Sequence, residues 1–148
     1  MRAESAWRVV IDTNVWISAF LVNTGAPAEL VRLVLAHGQP VFSAATLAEL
    51  DARLWRPKFD RYLDIDERRR LLRDLNSLAC WITVPPPIAA QTFCRDADDD
   101  KMIHAALAAQ ATLLVTGDDD LLCLHPLGKL NILTPRAALA RFKDQRGQ

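Results

Sequence analysis

Acidic residues stand at four places in this chain where a carboxylate could take part in chemistry. Asp12 ends the run Arg8-Val-Val-Ile-Asp12 and is followed by Thr13 and Asn14. Glu49 lies in Ser43-Ala-Ala-Thr-Leu-Ala-Glu49-Leu, Asp96 to Asp100 form a cluster broken only by Ala97, and Asp118 opens an Asp118-Asp-Asp120 run just after Thr116. Carboxylates gathered in one cleft repel, so an isolated group of them takes up protons or splays apart. A divalent cation removes that conflict. Ligation by carboxylates alone, with no Cys or His set nearby, suits hard ions such as Mg²⁺ or Mn²⁺. One such ion, or a pair about 4 Å apart, activates water and stabilises the leaving oxygen in phosphodiester hydrolysis.

For these acids to meet, the elements that carry them must end on one rim. Val9 to Ile11, with the flanking Trp7, reads as a strand buried on both faces, the usual first strand of a parallel sheet. Thr13 and Asn14 are expected helix N-caps ahead of Val15 to Leu21, which places Asp12 at the carboxyl edge where open α/β sheets bind ligands. Leu30, Val31, Val34 and Leu35 mark a second helix over 28–36 that closes at His37-Gly38, with the glycine suited to the C′ position. Its apolar surface reads as core packing, with a dimer face as the alternative. Pro40 to Ser43 is a short strand, and a helix from Ser43 to Arg56 follows until Pro57 stops it. From Asp64 to about Ala79 the spacing predicts a helix with Leu71, Leu72, Leu75 and Leu78 inward and Arg68, Arg69, Arg70 and Arg73 outward. Cys80 to Val84 is the next expected strand, closed by three prolines. Thr112 to Thr116 is another, and Leu130 to Leu133 the last, before a helix over 136–143 capped by Thr134-Pro135. Strands alternating with helices imply a three-layer α/β/α sandwich around a parallel sheet of four to five strands, with right-handed crossovers bringing the strand ends together.

Each acid also has a plain structural reading. Asp12 serves as a helix cap, Thr46 to Glu49 fits a capping box, and the Asp118 run fits a polar turn. All four together on one rim is what the metal chemistry explains. Within the Asp96–Asp100 cluster, at about 100° per residue, Asp99 falls in the arc of Met102, Ile103, Ala106 and Leu107, provided the helix starts near Asp98. Asp100 lies about a quarter turn away and remains either a group supporting the ligands or the alternative ligand; Asp96 and Asp98 read as loop or cap residues.

Bulk properties narrow the field further. The 148 residues are expected to form one domain spanning 1–148, with a core over about 7–143 and short flexible termini. Eighteen basic and eighteen acidic residues give a net charge of zero, which excludes attachment to nucleic acid or membrane by overall charge. Cys80, Cys94 and Cys123 form no ligand or disulfide pattern and read as small buried hydrophobes in a reducing cytosol. No apolar run reaches the roughly 20 residues needed to cross a bilayer, so the protein is expected to be cytoplasmic and away from membranes. Arg53, Arg56, Lys58 and Arg61 could contact phosphates from the rim, and Trp55 could stack on a base, although solvated arginines and a buried tryptophan are the commoner fates. The Arg68–Arg70 run reads as a solvated face or a protein-partner surface. Neither His104 nor His125 has the context of a ligand.

These motifs resemble those of the PIN-domain ribonucleases, and within them the VapC-like bacterial toxins of type II toxin–antitoxin systems. The likeness rests on Val-Val-Ile-Asp12-Thr-Asn14, Ser43 to Leu50, Arg95-Asp-Ala-Asp-Asp-Asp-Lys101 and Leu-Val-Thr116-Gly-Asp118-Asp-Asp120, in that order along nearly the whole chain. It implies that Asp12, Glu49, Asp99 and Asp118 are catalytic metal-binding acids. Asn14 and Thr116 would be the polar supports beside them, with Thr13, Asp96 and Asp120 close by. It further implies cleavage of an RNA substrate with Mg²⁺ or Mn²⁺, a cognate antitoxin protein, and a homodimer or larger assembly. Ala97 stands where the family usually has proline, and Asp100 where it often has asparagine, which keeps the Asp99/Asp100 choice open. Two other readings compete. A catalytically silent PIN-like module would bind RNA or protein only, and a receiver-like phosphoacceptor domain would need an acceptor Asp ending a central strand where this chain has Pro85 to Pro87.

Overall fold

Residues 7–146 are described by a computed structural model; the expected flexible ends, at 1–6 and 147–148, lie outside them. The β-branched run Trp7–Ile11 forms β1, and α1 (Thr13–Leu21) and α2 (Ala26–His37) follow. The chain continues through β2 (Gly38–Phe42), α3 (Ala44–Leu54), α4 (Ile65–Leu78) and β3 (Cys80–Trp81). Its second half contributes α5 (Pro86–Ala89), α6 (Asp100–Ala109), β4 (Leu113–Val115), α7 (Asp119–Leu122), β5 (Asn131–Leu133) and α8 (Pro135–Arg146). The five strands lie in the order β3-β2-β1-β4-β5, and every pairing is parallel. The expected α/β/α sandwich is therefore present with five strands.

Alternation along the strands separates two apolar layers. Val9, Ile11, Leu113 and Val115 pack with α1, α2, Leu50 and Leu54 of α3, Leu75 of α4 and Leu139 of α8 on one face. Val10 and Leu114 pack with Met102, Ile103 and Ala106 of α6 and Leu121 of α7 on the other. The chain leaves β1 towards β2 and β3, then returns through α6 to β4 on the opposite side of β1, so the strand order reverses between β1 and β4. That reversal is where a parallel sheet opens a crevice at its carboxyl ends.

Several local expectations need correction. The strand expected over 80–84 is only Cys80–Trp81, although the Ile82 N–H still donates to the Phe42 carbonyl at 2.9 Å; the prolines beyond it suit a helical first turn, and Pro86 and Pro87 open α5. On α4 the inward stripe is Arg68, Leu71, Leu72 and Leu75, while Leu78 is 54% exposed. Arg68, expected in solvent, is buried: its guanidinium is 3.0 Å from Asp60, donates to the Arg56 carbonyl at 3.4 Å, and lies 5.3 Å from the Trp55 ring centre. Cys123, expected in the core, is exposed at the end of α7, and Cys80 and Cys94 are half-buried. Among the described residues no single helix is long and apolar enough to cross a membrane.

Gly38 is also used differently from expectation. It does not adopt a left-handed cap: its φ of −137° is extended, and it pairs with Trp7 as the first residue of β2. A Cβ there would sit 2.7 Å from the Trp7 Cβ and 2.8 Å from the Trp7 carbonyl oxygen. Close approach of two strands, not positive φ, demands the glycine. Gly38→Ala is expected to cost about 1–3 kcal/mol through overpacking, read as a lower urea midpoint with unchanged slope.

Candidate active site

Asp12 and Thr116 are fixed by the sheet itself. The ladder continues one residue past β1 and β4, with the Asp12 N–H donating to the Val115 carbonyl and the Thr116 N–H to that of Leu133, both at 2.9 Å. Asp12, not Thr13 or Asn14, is the N-cap of α1; its Oδ1 accepts from the Thr13 N–H at 2.8 Å. Its Oδ2 accepts from the Thr116 hydroxyl at 2.7 Å, and the Thr116 Oγ1 in turn accepts from the Asp118 N–H at 3.0 Å. One hydroxyl thus ties the Asp12 carboxylate to the backbone of Asp118 across the switch point. Asp118 caps α7, its Oδ1 accepting from the Asp120 N–H at 2.9 Å.

Glu49 reaches the same rim from α3. The capping box there is made by Ser43 and Thr46, which leaves Glu49 free of the role that Thr46-Leu-Ala-Glu49 suggested. Its Oε2 accepts from the Thr13 hydroxyl, and its Oε1 receives Arg53 at 3.2 Å and Lys101 at 3.4 Å. Arg53 also donates to the Asn14 side chain at 3.0 Å. This residue, expected at a phosphate, is therefore bound to the acidic wall, whereas Arg56 and Lys58 are exposed. Lys58 lies 5.1 Å from the Phe59 ring centre. Trp55 is covered by Arg68, and both histidines are engaged by backbone, His104 with the Gln91 carbonyl and His125 with the Ile132 N–H.

The Asp96–Asp100 cluster turns in differently from the helical wheel. Residues 97–99 form a 3-10 turn capped by Asp96, and α6 begins only at Asp100. The 100° spacing therefore does not extend back to Asp99, which is half-exposed, while Asp100 is 3% exposed. Asp100 Oδ1 accepts from the Phe93 and Cys94 N–H groups at 3.0 and 2.7 Å, which pins the preceding loop. Despite the cost of its burial, these bonds and that to the Cys94 thiol hold its pKa below the ordinary value. The Cys94 thiol is pushed up to about 12, by burial first and by its hydrogen bond to Asp100 second.

Asp12 and Asp99 behave oppositely to Asp100. Burial raises the Asp12 pKa, the hydrogen bonds from Thr116 and Thr13 pull it back, and repulsion from Glu49 and Asp118 adds to the rise. Asp99 is raised by desolvation and then by repulsion from Asp118, Asp96, Asp12 and Asp120. The fold thus brings Asp12, Asp99 and Asp118 into one electrostatic neighbourhood, with Glu49 facing Asp12. All their donors are oxygens, and the buried, incompletely compensated Asp12 is the kind of group a hard cation relieves, so the residues fit Mg²⁺ or Mn²⁺ in kind. Among the described residues, no three Asp, Glu, His or Cys side chains form a ready-made ligand cluster. Lys101, bonded to Asp98 at 2.9 Å as well as to Glu49, is the site residue that the sequence reading assigned no role. Its signal was a cation in the first turn of a helix, where the dipole disfavours one.

A model of the PIN domain family matches residues 8–120, a span that includes all four acidic positions. The chain belongs to the PIN-domain family. It is 30% identical over 145 residues, 92% of each chain, to the uncharacterised protein MJ1680 of Methanocaldococcus jannaschii. Its PIN fold is shared with the VapBC2 structure from Rickettsia felis bound to a promoter DNA fragment, at a TM-score of 0.57 and 15% identity over 84% of this chain and 96% of that one. VapBC-1 from nontypeable Haemophilus influenzae gives a TM-score of 0.58 and 17% identity over 87% and 98%.

In this PIN domain Thr116→Val should destabilise by about 1–3 kcal/mol, because Asp12 Oδ2 and the Asp118 N–H both lose a partner; urea unfolding measures it. Asp12 and Asp99 hold protons more tightly folded than unfolded, so their contribution to stability is greatest at low pH. It is lost as pH rises from the ordinary carboxylate range through the raised values. Asp99→Asn is therefore expected to raise the Tm of the metal-free protein at neutral pH by roughly 2 °C. That gain shrinks as pH falls towards the ordinary carboxylate range, which thermal melts across pH would follow.

Proposed function

We propose that this PIN domain is a metal-dependent endoribonuclease that hydrolyses RNA phosphodiester bonds, and that it is the toxin of a toxin–antitoxin pair. The observation that carries the nuclease reading is the mutual electrostatic repulsion of Asp99, Asp118 and the buried Asp12 at the point where the strand order reverses. Membership of the PIN family supports nuclease chemistry, and the fold shared with VapBC structures supports a protein antitoxin as partner; a homodimer or larger assembly belongs to the same reading. Asp12, Asp99 and Asp118 would hold Mg²⁺ or Mn²⁺, with Glu49 as the fourth acid; Asp100, occupied by the Phe93 and Cys94 amides, is the less suited alternative. When bound, the ion lowers the pKa of a water and screens the charge that develops on the phosphate.

The chain's own residues set up that chemistry. Thr116 and Thr13 orient the Asp12 carboxylate, and Thr116 also orients the backbone at Asp118. Thr13 orients Glu49, and Arg53 links Glu49 to Asn14. Asp96 shapes the turn that presents Asp99, and Asp120 closes the cap of Asp118. Exposed Arg56 and Lys58, just beyond α3, would meet RNA phosphates once the acidic cleft has gained its ion.

Purified protein should cut labelled single-stranded RNA with Mg²⁺ or Mn²⁺ and stop in EDTA. Asp12→Asn and Asp99→Asn should each lower the rate about 100-fold or more, with Asp100→Asn retaining more activity. Activity lost in Asp100→Asn but kept in Asp99→Asn would move the ligand to Asp100. Tight RNA binding without any cleavage would replace the hydrolase by the silent binding module.

A further inference from the structure

Lys101 stands where elementary electrostatics disfavours a cation, in the first turn of α6. Its side chain is nevertheless only 20% exposed, with the ammonium 2.9 Å from Asp98 Oδ1 and 3.4 Å from Glu49 Oε1. Asp98 is 64% exposed, so solvent weakens that contact; Glu49, 12% exposed, is the stronger partner. Glu49 receives three donors from this chain, from Thr13, Arg53 and Lys101, whereas each Asp12 oxygen receives one. Of the acids facing the cleft, Glu49 is therefore the one the protein has supplied with its own positive charge. Arg53 comes from the same helix as Glu49; Lys101 comes from across the cleft, beside the turn that carries Asp99.

Resting on the metal-site reading above, we propose that Lys101 is a built-in counter-ion of the acidic cleft that competes with the divalent cation for Glu49. A dication approaching Glu49 meets an ammonium on the same carboxylate, and the two repel. Asp12, Asp99 and Asp118 would therefore hold the ion first, and Glu49 would be free to serve as a ligand only where Lys101 gives way. Lys101 acts through Glu49 and is a positioning residue. A simple structural bridge between α6 and α3 would have the opposite signature, since losing it would loosen the site and weaken metal binding.

Mn²⁺ affinity, read from the electron paramagnetic resonance of the free ion at neutral pH, separates the two. Lys101→Gln and Lys101→Met, each checked for native folding by circular dichroism, should bind Mn²⁺ about fivefold or more tightly than wild type, and the gap should widen at low salt. Lys101→Arg, which keeps the charge, should bind as wild type does. Equal or weaker binding by both neutral variants would overturn the proposal, as would tightening by Lys101→Arg. A wild type that binds no Mn²⁺ would instead remove the metal reading, and the counter-ion with it.

Discussion

The structure depends on one costly placement: a carboxylate, Asp12, 8% exposed at the carboxyl end of the central strand. Burial disfavours its charge, and the fold answers with two hydrogen bonds rather than a salt bridge. Both donors are themselves fixed, one as the first residue of α1, the other in the ladder beyond β4. The compensation is partial, because Glu49 and Asp118 work against it.

The two walls of the cleft solve the same problem by different means. Around Asp12, Asp99 and Asp118 the negative charge is left largely to itself, at a cost in stability that functional sites commonly carry. Around Glu49 the chain supplies Arg53 and Lys101. Asp100, adjacent in sequence to Asp99, is fully committed to holding a loop. Neighbouring aspartates thus have separate tasks, set by which backbone amides lie within reach.

Much of this was legible in the sequence because it follows from periodicity. The apolar runs ending at Ile11 and Val115 identified buried parallel strands, and with them the rim on which Asp12 and Asp118 stand. What stayed hidden depended on contacts between distant segments. Gly38 looked like a helix cap, and only the approach of Trp7 shows why no side chain fits. Arg68 looked solvated until Asp60 and Trp55 closed over it. The Asp99/Asp100 register failed on the wheel because a 3-10 turn precedes the helix, and Lys101 was passed over because its partner lies 52 residues away.

The most direct test of the metal centre is a crystal of the wild-type protein soaked in Mn²⁺ and measured by anomalous diffraction. The account predicts a peak within ligand distance of carboxylate oxygens of Asp12, Asp99 and Asp118. Ordered carboxylates with no anomalous density between them, or a peak on Asp100 or at a remote surface site alone, would contradict it.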